Sequence, residues 1–434
     1  MGKPKIAFYT LGCKVNQYET QALSEKFAGL GFEIVPEDGW ADVYVINSCT
    51  VTGAADRKSR NYARRSKRIN PDALTALVGC YAQTSPEELS KIEEIDLLMG
   101  SAEKEGLPEI VAAALEGREA PAIDGDVFGY GVTGLGGRTR AYLKVEDGCD
   151  RFCAYCVIPL ARGRVRSRPP GDILSEAEGL LAGGYKELII TGINAALYGV
   201  DLEPGLTDNI PTGPDAKSGV GLIGLMEALS GLPGDFRLRL GSLEPNVADS
   251  GAVERLLKVN RLCSHLHLSL QSGSDKVLED MGRRYMMEDF RNIAGILKAH
   301  DPDFSITTDL ITGFPGESEA EFYESVRAVE EIGFSRVHVF PYSRRKGTRA
   351  ARMDGQITEA EKSGRAAILA EAGARSAAGF VRRNSGKTRQ ALILGRTDKG
   401  DGYFVFEGIT DNGITVYEES ETDISNTFRD VVIR

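Results

Sequence analysis

The chain has 434 residues, 42% hydrophobic and 26% charged, with a net charge of −11. That is room for two or three domains with cores of their own, in the composition of an ordinary globular protein rather than a disordered or collagen-like one. No stretch reaches the roughly 18 apolar residues of a membrane span. Met1-Gly-Lys-Pro-Lys5 runs into a strand-like segment without a signal peptide, so no membrane contact and a cytoplasmic location are expected.

The first segment alternates strands and helices: strand at Lys5–Tyr9, helix at Gln17–Leu30, strand at Val43–Asn47, helix at Ala54–Arg68, strands at Leu74–Gly79 and Leu97–Met99, helix at Lys104–Glu116. Alternation of this kind predicts an open parallel sheet covered by helices. Cys13, Cys49 and Cys80 each stand just past the carboxyl end of a strand. In an open α/β sheet such loops share one edge, where ligands bind, so three thiols far apart in sequence are expected to converge.

Residues 125–137 are rich in glycine and read as a linker. Strand signals recur at Ala141–Val145, Glu187–Thr191, Arg237–Leu240, His265–Leu270, Ser305–Leu310 and Arg336–Phe340, mostly with helical segments between them. Six such units predict an incomplete (β/α)6 barrel with its chemistry at the carboxyl ends of the strands. Residues 202–219 read as a surface insertion. By the period of two, His265, His267, Ser269 and Gln271 face the lumen, and Asp309 points inward near its strand's end. Gln271 and Asp309 lie at the ligand-binding end; His265 and His267 lie lower and are expected to be satisfied core groups. Cys263 precedes its strand and is expected to be structural, and His300 and His338 have no spacing that suggests a role.

After residue 370 short strands at Leu392–Gly395, Tyr403–Phe406 and Ile414–Tyr417 predict a small β-barrel of a kind that binds nucleic acid. From Arg375 to Arg434 it balances nine Lys/Arg against nine Asp/Glu. The fold class is thus α/β in three parts: residues 1–120, a linker at 121–137, a barrel at 138–370 and a β-domain at 371–434.

Within the loop after the first barrel strand, Cys149, Cys153 and Cys156 form C-x3-C-x2-C. This spacing can hold three corners of a cubane iron–sulfur cluster and supplies no fourth ligand. Zinc prefers two ligand pairs, and no further Cys or His follows before Cys263. Seven cysteines in an intracellular chain read as metal or redox chemistry rather than a disulfide scaffold. Acid-free basic runs at Arg57–Arg68, Arg162–Arg168, Arg344–Arg352 and Arg375–Arg389 suggest a footprint for a polyanion despite the acidic average.

The cysteine loop, with Tyr155 before its last cysteine, resembles that of the radical S-adenosylmethionine enzymes. The first segment resembles the amino-terminal module of the methylthiotransferases, and the last their TRAM domain, in the family's order. Asn47-Ser-Cys-Thr-Val-Thr52, Gly79-Cys-Tyr-Ala-Gln83, Leu268-Ser-Leu-Gln-Ser-Gly-Ser-Asp275, Gly313-Phe-Pro-Gly-Glu317 and Phe340-Pro-Tyr-Ser343 support the match. Thr10-Leu-Gly-Cys-Lys-Val-Asn-Gln-Tyr-Glu-Thr20 is similar to the branch that acts on threonylcarbamoyladenosine in tRNA.

The resemblance implies methylthiolation of carbon 2 of that nucleoside, next to the anticodon, with two 4Fe-4S clusters and two S-adenosylmethionine molecules. It places one cluster on Cys149, Cys153 and Cys156, which generate the radical, and the other on Cys13, Cys49 and Cys80. Tyr155, Ser242, Glu244, Gln271 and Asp309 are expected to contact S-adenosylmethionine. Arg57, Lys58, Arg60, Arg64, Arg65, Arg344 and Arg345 are expected to contact RNA phosphates. A flavodoxin- or ferredoxin-type reductant and a monomeric state are expected. The alternatives are a methylthiotransferase for isopentenyladenosine in tRNA or for a ribosomal-protein aspartate and, from another class, a non-catalytic zinc-stabilised RNA-binding protein.

Overall fold

The structure is a computed structural model describing residues 2–123, 125–130, 139–202, 221–245, 250–399 and 403–434. About half of the expected linker and nearly all of the expected insertion lie outside the described residues. The chain divides into two compact units. The first comprises residues 1–135, 147–168 and 343–351; the second comprises 136–146, 169–342 and 352–434.

The first unit is built on five parallel strands, β1 (Lys5–Thr10), β2 (Glu33–Val35), β3 (Val43–Ser48), β4 (Leu74–Gly79) and β5 (Leu97–Met99), in the order β2-β1-β3-β4-β5. β3 is buried at every position, as expected of a central strand covered on both faces. Helix α1 (Lys14–Gly29) follows β1, α2 (Gly53–Ile69) follows β3, and the short α3 (Cys80–Thr84) follows β4. Thr52 starts α2 by accepting the Ala55 N–H. The helix expected from Lys104 is instead a 3-10 turn, Lys104–Gly106, followed by α4 (Leu107–Leu115). Pro108 lacks an N–H and is at home only in a helix's first turn. β2 was not foreseen: three residues at a sheet edge carry too little pattern.

The second unit opens with parallel strands β6 (Arg140–Lys144), β7 (Glu187–Thr191) and β8 (Arg237–Leu240), ordered β8-β7-β6. A second parallel sheet runs β9 (Ser242–Leu243), β10 (His265–Leu268), β11 (Ser305–Thr312) and β12 (Arg336–Pro341). A bridge between Leu238 and Leu262 connects β8 with the approach to β10, giving six consecutive parallel positions. The core is aliphatic, with Leu143, Leu188, Ile190, Leu238, Leu266 and Leu310 among its fully or almost fully buried residues.

The carboxyl-terminal strands β13 (Thr388–Lys399), β14 (Phe404–Thr410), β15 (Thr415–Ser420) and β16 (Phe428–Val432) form one antiparallel sheet, ordered β15-β14-β13-β16. It is a curled half-barrel, and its fourth strand lay beyond the three expected. Glu187 anchors it to the barrel strands: the carboxylate holds Arg237 at 2.6 Å and Arg239 at 3.0 Å. Those guanidiniums donate to the carbonyls of Ile409 and Thr410 at 2.9 and 3.1 Å. Among the described residues, no helix is long and apolar enough to cross a membrane.

Candidate active site

The strand order of the first unit places β1, β3 and β4 side by side, so the loops bearing Cys13, Cys49 and Cys80 leave one edge of one sheet. Cys13 is the N-cap of α1 and Cys80 the first residue of α3. Asn16 ties this edge together, donating from Nδ2 to the carbonyls of Leu11 at 2.7 Å and Ser48 at 3.0 Å. The Ser48 hydroxyl donates to the Val78 carbonyl and accepts the Tyr81 N–H. Gly12 has φ +100, and a Cβ there would lie 2.7 Å from Cys49 Cβ and 2.8 Å from its sulfur. Only glycine lets the first loop close over the second cysteine.

The thiols influence one another. Burial pushes Cys49 up to about 12, the neighbouring Cys80 and Cys13 push the same way, and the Arg162 guanidinium pulls back. Ser101 Oγ lies 3.8 Å from Cys80 Sγ. Cys13 is raised as well, and thiols held un-ionised in this way suit a cationic metal centre, which supplies the positive charge that thiolates need.

Cys149, Cys153 and Cys156 also fall in the first unit; the first two are buried and the third half-buried. Cys149 N–H donates to the Gly163 carbonyl, Cys156 N–H to that of Cys153, and Val165 N–H to the Asp150 carboxylate. Gly148 has φ +84, and a Cβ there would sit 1.9 Å from the Arg164 carbonyl oxygen. Phe152, between the first two cysteines, is exposed and left-handed at φ +49, with the Arg164 guanidinium 5.3 Å from its ring centroid. Tyr155 is half-buried within the loop.

A buried charged network lies in the same unit. Arg162 Nη1 donates to both oxygens of Asp147, at 3.0 and 2.8 Å, and to Glu19 at 3.0 Å; Nη2 donates to Glu19 at 3.1 Å and to Asn16 Oδ1 at 2.6 Å. Lys104 pairs with the Glu19 oxygen that Arg162 Nη2 also meets, and donates to Asn47 Oδ1 at 3.1 Å. Residue pattern carries no sign of this network: Arg162 stands in a basic run, and Lys104 stands at an expected helix start.

In the second unit the lumen candidates gather as follows. Asp309 lies 3.2 Å from His267 Nε2 and is in register with His338. The ligand atoms of His267, Asp309 and His338 all lie within 4.8 Å of one another. His267 Nδ1 meets Thr307 Oγ1 at 3.0 Å, while Nε2 faces Asp309 without a hydrogen bond among the described residues, so the expectation of a satisfied core group holds for one ring nitrogen only. Ser242 is in register with His267. Glu244 is buried and takes Arg283 at 3.2 Å and Asn194 Nδ2 at 3.3 Å. Gln271 is left-handed at φ +70, and its backbone exchanges hydrogen bonds with Asp309 and Ile311. Asn194, Arg283 and His338 were missed as members of this row; the register that aligns His338 with Asp309 depends on strand pairing and cannot be read from spacing.

Of the basic candidates, Arg57, Lys58, Arg64, Arg65 and Arg344 are exposed. Arg60 is half-buried, bound to the Tyr81 hydroxyl and to Glu88. Arg345 turns inward, meeting Asp56 at 2.5 Å and Thr50 Oγ1 at 2.6 Å.

Residues 5–100 match the model of the Uncharacterized protein family UPF0004, and residues 143–329 that of the Radical SAM superfamily. A Threonylcarbamoyladenosine tRNA methylthiotransferase MtaB of Thermotoga maritima is 37% identical over 409 residues, 92% of this chain and 90% of its own. Its namesake in Bacillus subtilis is 36% identical over 96% of this chain and 91% of its own. Among solved structures, the radical S-adenosylmethionine methyltransferase TsrM of Kitasatospora setae superposes with a TM-score of 0.54 at 15% identity, covering 80% of this chain and 77% of that one; this likeness is one of fold alone. With relatives this similar along almost their whole length, the chain belongs to the radical S-adenosylmethionine methylthiotransferase family, in its MtaB branch.

Proposed function

We propose that this protein places a methylthio group on carbon 2 of threonylcarbamoyladenosine in tRNA, next to the anticodon, using two 4Fe-4S clusters and S-adenosylmethionine. The observation that carries the proposal is the presence of two separate three-cysteine sets within one compact unit. Each set offers three sulfur ligands, which suits a four-iron cluster with one iron left open. Cys149, Cys153 and Cys156 would hold one cluster, which together with S-adenosylmethionine would supply radical chemistry able to remove hydrogen from an aromatic carbon that acid–base chemistry cannot touch.

The chain's own residues do the rest. Gly148 and the Asp150–Val165 hydrogen bond hold the loop in the tight turn that brings its cysteines together. Cys13, Cys49 and Cys80 would hold the second cluster, which would supply the sulfur for transfer. Tyr155, Ser242, Glu244, Gln271 and Asp309 are the proposed contacts to S-adenosylmethionine, whose amino group and ribose hydroxyls call for acceptors such as Glu244 and Asp309. Arg57, Lys58, Arg64, Arg65 and Arg344 are the proposed phosphate contacts. Arg60 and Arg345, committed to Glu88 and Asp56, shape the surface that presents them. The electron donor is of flavodoxin or ferredoxin type, and the enzyme works as a cytoplasmic monomer.

Mass spectrometry of tRNA nucleosides and ribosomal proteins from a deletion strain tests the assignment. The expected result is loss of the 2-methylthio form of threonylcarbamoyladenosine, with its unthiolated parent accumulating and restored by the complementing gene. Loss of the isopentenyladenosine derivative instead, or of a modified ribosomal-protein aspartate, overturns it.

A further inference from the structure

We infer that Arg162 is a positioning residue shared by the two cysteine sets: carried by the segment that closes the Cys149–Cys156 loop, it supports and electrostatically tunes the cluster on Cys13, Cys49 and Cys80. The inference rests on the reading of those three cysteines as cluster ligands.

The geometry is specific. Arg162 lies six residues after Cys156, at the end of the short helix Ile158–Arg162, yet its guanidinium reaches into the other site's framework. It holds Glu19 and Asn16, both on the helix that Cys13 caps. It also holds Asp147, two residues before Cys149. Through Glu19 the network extends to Lys104 and on to Asn47, two residues before Cys49. Four of the groups named are charged, Glu19 and Asp147 against Arg162 and Lys104, and their charges balance one another. All four side chains are essentially inaccessible to water. A surface ion pair can rearrange at little cost, whereas a buried, multiply hydrogen-bonded set holds one arrangement because any lost partner leaves a desolvated charge. The two cysteine loops are therefore locked to each other through one guanidinium fork, a geometry that lysine's single ammonium cannot reproduce.

One further observation points from Arg162 toward that site. Arg162 Nε is buried and has no hydrogen-bond partner among the described residues. A buried N–H donor without a partner, on a guanidinium held by Asn16 and Glu19 of the helix that Cys13 caps, is available to the sulfur of a bound cluster. Positive charge and N–H donors both favour the more negative, reduced form of an iron–sulfur cluster and so raise its potential. Glu19, the carboxylate between the two cations, has the opposite influence.

The test uses full-length, anaerobically reconstituted protein, titrated by EPR-monitored redox potentiometry, with pulsed EPR of the doubly reduced state to read the magnetic coupling between clusters. Arg162→Gln is expected to shift the midpoint of the Cys13/Cys49/Cys80 cluster to more negative potential, and Glu19→Gln to shift it to more positive potential. A purely structural role would not produce shifts of opposite sign. Arg162→Lys, which keeps the charge and loses the fork, is expected to retain most of the midpoint while broadening the intercluster coupling. It carries the test with Glu19→Gln if Arg162→Gln does not fold. Unchanged midpoints, or shifts of the same sign in the two charge-neutralising variants, overturn the inference, as does an unchanged coupling in Arg162→Lys. Failure of the underlying reading has a separate signature: a Cys13/Cys49/Cys80 triple alanine variant would then carry as much iron as the wild type.

Discussion

The two cysteine sets reach the same donor chemistry by opposite routes. Cys149, Cys153 and Cys156 are brought together by eight consecutive residues and a local turn, while Cys13, Cys49 and Cys80 are brought together by three adjacent parallel strands spanning 68 residues. The first site is a property of a loop and depends on backbone conformation within that loop. The second is a property of a sheet, and it exists only when the strand order is correct. The difference teaches where each site is vulnerable.

The largest effect expected comes from the local set. Alanine at Cys149, Cys153 and Cys156 together should leave one four-iron cluster and abolish cleavage of S-adenosylmethionine, measured as deoxyadenosine released with dithionite as reductant. Cleavage at the wild-type rate in this variant would remove the loop from the chemistry.

Next is Gly148→Ala, which adds a Cβ 1.9 Å from a backbone carbonyl at φ +84. Strain of this kind is worth about 1–3 kcal/mol, and the loop must open to relieve it. Iron analysis should show preferential loss from the local site, with cleavage falling accordingly. Gly12→Ala sharpens the contrast: its Cβ would press on Cys49 itself. It should deplete the dispersed site and spare S-adenosylmethionine cleavage. Equal iron loss from both sites in either variant would mean that the two loops do not fail independently.

The smallest effects belong to the surface of the same unit. Binding of tRNA should weaken steeply with salt, and Arg57→Ala or Lys58→Ala should each reduce the slope of log K against log salt by about 1. Arg345→Met should leave that slope unchanged and instead lower Tm, because its guanidinium is bound to Asp56 within the fold. A flat salt response in the wild type would remove the electrostatic case for these residues.

The legibility of the molecule follows the same division. The spacing of the local cysteines was plain in the sequence. The dispersed set was visible because Cys13, Cys49 and Cys80 each follow a strand whose hydrophobic run is strong, and the observed order β1-β3-β4 juxtaposes them. What could not be read was whatever depends on long-range pairing of polar side chains. Lys104 looked like a helix start and is a buried cation on Glu19. Arg162 looked like part of a phosphate-binding run and is entirely internal. His338 had no suggestive spacing because its relation to Asp309 is one of strand register. Hydrophobic period reports which face is buried; it carries no information on which charges meet there.

The central claim is a division of labour between the two sets, and one assay tests it most directly. A variant with alanine at Cys13, Cys49 and Cys80, reconstituted anaerobically and supplied with S-adenosylmethionine, reductant and substrate tRNA, should still release deoxyadenosine while forming no methylthiolated nucleoside. Loss of deoxyadenosine release together with thiolation, or persistence of thiolation, would contradict it.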